Sequence, residues 1–99
     1  MPRFTARAPA VPTVTSDDAR TRVTRWDFAP GAETGWHTHH MDYVVVPVTD
    51  CVMLVEDADG ERRVPVAAGA AYARQLGVEH NVVNGGEAFM SFVEIELKR

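Results

Sequence analysis

His37 and His39, two residues apart, are the side chains of this 99-residue chain best suited to chemistry. Alternate side chains of an extended strand share a face, so both imidazoles would project the same way. Two neutral imidazoles side by side are half of a transition-metal site, since imidazole suits zinc, iron, nickel and copper. A third donor must come from elsewhere, and His80 is the candidate. It opens a strand directly after a loop, where functional side chains concentrate. His40 has the opposite parity and is expected to point away. A solvated histidine loop is the competing reading of the same spacing.

The elements that must carry these residues are strands. Fifteen valines stand against three leucines and one isoleucine, a usage that suits a pleated sheet and argues against a helix bundle. Residues 1–19 read as an N-terminal arm interrupted by Pro2, Pro9 and Pro12; Val11 to Val14 is either a short edge strand, pairing across a dimer, or part of a loose terminus. Residues 20–99 read as the barrel domain. Its strands are predicted at 21–28, 36–48 with a bend, 51–56, 62–66, 70–74, 80–84 and 88–98. Asp57 to Gly60 is the hairpin turn, because Asp-Gly tolerates positive φ. In the last strand Phe89, Val93, Ile95 and Leu97 share one face with Ser91, while Glu94 and Glu96 share the other. Val44 to Val48 is apolar on both faces and needs cover on both sides. Pro47 cannot donate to a ladder, which places it at an edge or a bulge. Short strands with regular turns predict an antiparallel sandwich or barrel.

Several classes are set aside. A net charge of −4 offers no basic footprint for nucleic acid or an anionic membrane. The longest apolar run, Tyr43 to Val48, is too short to span a bilayer as a helix, and the N-terminus lacks a stretch of signal-peptide length. The single cysteine, Cys51, makes no internal disulfide, so a reducing, cytoplasmic setting is expected.

Two spaced motifs resemble those of the cupin family. Gly31-Ala-Glu-Thr-Gly-Trp-His37-Thr-His39 resembles the opening of the first, Gly, five residues, His-x-His. Gly69, Gly77, His80 and Asn84 stand at the spacing of the second, with Gln75 in place of its proline. The resemblance covers roughly residues 20–97 and implies an all-β double-stranded β-helix, or jelly roll, forming a cupin barrel. It implies His37, His39 and His80 as ligands of a divalent transition metal (Fe, Zn, Ni or Mn). Gly31, Gly69 and Gly77 are expected at turns, and Asn84 as a turn cap. The runs 34–39, 42–50, 77–81 and 93–98 are further similar to a group of small bacterial cupins, some labelled as β-alanine degradation accessory proteins.

The departures from the motifs bear on chemistry. The expected ligand glutamate falls at Tyr43, or at Val44 in the longer spacing. Tyr43 has the inward parity and is the candidate catalytic residue; Asp42 points outward on a regular strand. Tyr43, Asp42 or water would take the fourth position. Three neutral imidazoles leave the full +2 on the ion and favour anionic chelating ligands. The set suits a dioxygenase-type enzyme acting on a small oxygenated acid or diketone, or a zinc-bound water nucleophile; the alternative is a non-catalytic metal or small-molecule binding or sensor cupin. Trp36, Met41, Met53, Tyr72 and Phe92 are candidates for the barrel mouth, ordinary core being the other reading. Arg74, if its face is inward, is the candidate to clamp an anionic small-molecule ligand, a surface arginine being the other reading, and Glu79 the candidate to orient His80, an exposed loop charge being the other. A homodimer is expected from the two-sided apolar strand.

Overall fold

The structure, a computed structural model, describes residues 7–99, so the first six residues of the predicted arm lie outside the described residues. Nine strands follow in order: β1 Val11–Asp17, β2 Thr21–Phe28, β3 His37–Thr38, β4 Asp42–Pro47, β5 Cys51–Asp57, β6 Gly60–Val66, β7 Tyr72–Arg74, β8 Glu79–Asn84 and β9 Met90–Leu97. Among the described residues there is no helix, and so none long and apolar enough to cross a membrane. The strands form two antiparallel sheets, ordered β1-β2-β9-β4-β7 and β3-β8-β5-β6. The β-branched residues that fill β4, β5 and β8 explain why these segments extend.

The registers sort the inward side chains into layers. At one end Phe28, Met90, Pro47 and Cys51 are buried, Phe28 completely. Next come Trp26 and its partner Phe92, with Met53 and Val82 on the facing sheet and the Phe28 and Phe92 rings 5.3 Å apart. One residue further along each strand's inner face come Thr24, Glu94 and Val45, then Arg22, Glu96, Tyr43 and Arg74, while on the facing sheet Val82 is followed by His80. The barrel is thus apolar at its closed end and charged at its mouth. Period-two pleating makes this gradient possible, because each strand contributes one side chain per layer.

Local features follow from the residues that stand at the turns. The strand predicted at 36–48 is broken at 39–41 into β3 and β4. Gly31, Gly69 and Gly77 have φ of 80°, 81° and 97°, a region that side-chain sterics disfavour. Asn84 donates from Nδ2 to the carbonyls of Phe28 and Ala88 and accepts from the Gly86 amide, pinning the turn before β9. β4 is an inner strand, yet Pro47 lies past Val45, the last residue that β7 pairs. Its missing donor therefore costs no ladder bond there. β1 pairs with β2 of the same chain and is exposed along its whole length.

Candidate metal centre

His37 and His80 are direct cross-strand partners in the short β3–β8 ladder, which puts both rings on one face. His39 follows β3, where its amide donates to the Val78 carbonyl and its carbonyl accepts from Gly77. The left-handed Gly77 turn thereby ties His39 to the approach to His80. The result is a convergence of three ring nitrogens. His39 Nε2 lies 3.0 Å from His37 Nε2 and 3.1 Å from His80 Nε2. His40 is exposed and takes no part.

Protonation is fixed by what surrounds the rings. His37 Nδ1 is 2.7 Å from the Gly35 carbonyl oxygen, which can only accept, so Nδ1 carries the proton and Nε2 presents a lone pair inward. Burial, and then the neighbouring His37 ring, pushes both His39 and His80 down to about 4, so both rings are neutral at physiological pH. One proton can bridge a single pair of these nitrogens. A cation satisfies all three at once, and the donor set fits a divalent transition metal.

A polar cluster on the outside of the four-stranded sheet holds the His37 loop. Asn81, 2% exposed, accepts from the Gly35 amide at 2.9 Å through its Oδ1. Its Nδ2 donates to Glu33 at 2.8 Å and to Glu56 at 2.9 Å. Arg7 bridges the same two carboxylates and, together with Asn81, holds Glu56 below the usual carboxylate range. Asn81 and Gly35 were not flagged by the motifs as site residues, because Asn81 points away from the cavity and acts on His37 only through the loop.

Tyr43 is 3% exposed and stacks on His39, with ring centroids 3.9 Å apart and planes 18° from parallel. Burial pushes its phenol upward, so it stays protonated. Asp42 faces outward, accepting from the Leu76 amide and from Arg99. Met53, Tyr72 and Phe92 line an enclosed cavity of about 60 Å³ beside His37 and His80. Arg74 lines a wider cleft of about 380 Å³ at the mouth, its guanidinium 4.7 Å above the Tyr72 ring centroid. It forms no ion pair among the described residues. Trp36 is 59% exposed and lines neither cavity. Glu79 accepts from the Thr38 hydroxyl, and Cys51 is buried with its thiol pushed upward by that burial.

Two carboxylates join the cavity that the motifs do not mark. Glu94 lines the enclosed cavity with His37, His80 and Tyr43. Glu94 and Glu96 each place an oxygen within 4.8 Å of a His39 ring nitrogen. The alternation of β9 is the only signal for them, and it reads most simply as a charged outer face. The barrel reverses it: Phe92, Glu94 and Glu96 face inward, while Val93 and Ile95 are half-buried on the outside. Burial, and then the charge of Glu96, push Glu94 up to about 7.

Comparison with known proteins agrees with this architecture. Residues 24–96 match the model of the cupin domain. The β-alanine degradation protein BauB of Pseudomonas aeruginosa is 54% identical over 95 residues, spanning 96% of this chain and all of that protein. The crystal structure of a cupin domain from Bordetella pertussis superposes with a TM-score of 0.93 at 48% identity, covering 97% of this chain and all of the other. The polyketide cyclase RemF of Streptomyces resistomycificus shares the fold, with a TM-score of 0.73 at 19% identity, over the whole of this chain and 80% of its own. The chain belongs to the cupin family.

Proposed function

We propose that this cupin holds a divalent transition metal through His37, His39 and His80 and binds a small anionic oxygenated acid or diketone beside it, as a dioxygenase-type enzyme. The convergence of three Nε2 atoms at 3.0 and 3.1 Å carries the reading. Bound there, the metal would supply Lewis acidity and a means of activating oxygen. The chain's own groups do the rest. Tyr43 packs flat on His39 and limits its tilt. Met53, Phe92 and Val82 exclude water from the inner cavity. Arg74, without a carboxylate partner among the described residues, offers a positive charge at the mouth for the acid group of a ligand. A cleft of about 380 Å³ suits a small molecule. The name of the Pseudomonas relative, a β-alanine degradation protein, also suits small carboxylates.

Elemental analysis of untagged protein, followed by anaerobic loading with Fe(II) and a screen of enolisable acids for oxygen uptake, tests this. Oxygen uptake that depends on the acid supports it. A bound metal with an organic anion but no turnover favours a non-catalytic binding or sensor role, and absence of any bound metal overturns the metal centre. The half-buried outer side chains Val23, Val44, Val46, Val93 and Ile95 lie together on the five-stranded sheet and suit a homodimer interface. Light scattering should give twice the chain mass at micromolar protein.

A further inference from the structure

We propose that the metal centre takes a carboxylate donor from β9: Glu94 is a fourth ligand beside His37, His39 and His80. This rests on the metal-centre reading above. Glu94 and Val45 are cross-strand partners, as are Glu96 and Tyr43, so both acids project from the wall facing the histidines. Glu94 lines the enclosed cavity together with His37 and His80, and one of its oxygens lies within 4.8 Å of a His39 ring nitrogen. To join the three histidines its side chain would have to rotate about its three torsions.

The charge arrangement distinguishes Glu94 from its neighbours. Glu96 has Arg22 at 3.8 Å, and Asp57 has Arg62. Glu33 and Glu56 share Arg7 and Asn81. Glu94 has neither a hydrogen bond nor an ion pair among the described residues, although the cavity it lines also holds the apolar side chains of Trp26, Val45 and Phe92. A desolvated carboxylate without a partner is costly, and a cation held by three neutral imidazoles would be that partner. The position on β4 that faces the histidines is filled by Tyr43, whose ring is stacked on His39 and supplies no negative charge. With Glu94 bound, the metal would carry a formal +1 and an octahedral shell would keep two open positions, which one bidentate small acid fills.

The test is titration of metal-free, untagged protein with Co(II), reading both the dissociation constant and the visible spectrum, which reports coordination geometry. Glu94→Gln keeps the shape and should weaken binding at least about 10–100-fold, the range typical of losing even an outer-shell partner, and should alter the spectrum. Glu94→Asp keeps the charge on a shorter arm and should recover part of the affinity, which a loss of folding would not explain. Glu61→Gln, at an exposed position of β6, should leave both readouts close to wild type. Wild-type affinity and spectrum in Glu94→Gln, or an equal loss in Glu61→Gln, overturns the assignment. If wild type binds Co(II), His80→Ala abolishes binding and Glu94→Gln does not affect it, only the role of Glu94 fails. If wild type takes up no Co(II), the metal centre fails with it.

Discussion

The two walls of the barrel bring charge and lone pairs to the cavity by different routes. On the four-stranded sheet a two-residue spacing and a single register pair, His37 with His80, assemble three imidazoles, of which burial keeps His39 and His80 neutral. On the five-stranded sheet Glu94 and Glu96 arrive from a strand whose Val93 and Ile95 face outward. The histidine wall is built from short-range spacing and carries outer support from Asn81, Glu33 and Arg7. Among the described residues the acidic wall has a single ion pair, Glu96 with Arg22 at the rim. The difference teaches that a donor with a supporting shell can be found from motifs, whereas a donor selected by strand direction alone cannot.

The comparison is broken most forcefully at the closed end. Phe28→Ala should cost about 3–5 kcal/mol in urea unfolding, because that ring is fully buried against Phe92. His80→Ala, one layer from the mouth, should lower metal affinity more than about 100-fold, exceeding an outer-shell loss, while leaving the metal-free protein folded. If His80→Ala instead unfolds the chain and keeps the metal, the layer picture is wrong.

The two walls should titrate with opposite sign in the metal-free protein. His39 and His80 are pushed from 6.5 down to about 4, so the unfolded chain takes up protons first, and their contribution is present above 6.5 and lost as pH falls towards 4. Glu94 is pushed from 4.5 up to about 7, so its contribution is present below 4.5 and lost as pH rises through 7. Glu94→Gln should therefore be more stable than wild type at pH 8 by on the order of 1–3 kcal/mol, and equal to it near pH 4. Equal stability at both pH values would mean that the Glu94 carboxylate is not desolvated.

Smaller effects separate support from contact. Asn81→Ala leaves the Gly35 amide without a partner, takes one hydrogen bond from each of Glu33 and Glu56, and should cost about 1–3 kcal/mol, with metal affinity about tenfold weaker through His37. Arg74→Ala should change stability by less than about 0.5 kcal/mol, since the side chain is exposed, yet weaken binding of small carboxylates measured by calorimetry.

Much of the fold was legible because its signals are local. Val-rich runs, the Asp57 to Gly60 hairpin and the glycines at 31, 69 and 77 determine where the chain extends and where it turns. The inward parity of His37, His39 and Tyr43 follows from the same pleat, and the distant His80 follows from the second motif. Trp36 adjoins His37 in sequence, but the Gly35 turn directs it to solvent. That orientation depends on where the loop crosses β8, which spacing does not encode.

The sequence by itself determined the cupin barrel, the histidine triad and the outward turn of Asp42, since strand period and turn sterics act over a few residues. Only the tertiary structure decided which face of β9 lines the cavity. Alternation gives two faces but not their direction. That is set when β9 pairs between β2 and β4, and the registers fix Phe92 beside Trp26 and Glu96 beside Tyr43. The pairing turned two surface-looking glutamates into the acidic wall of the site.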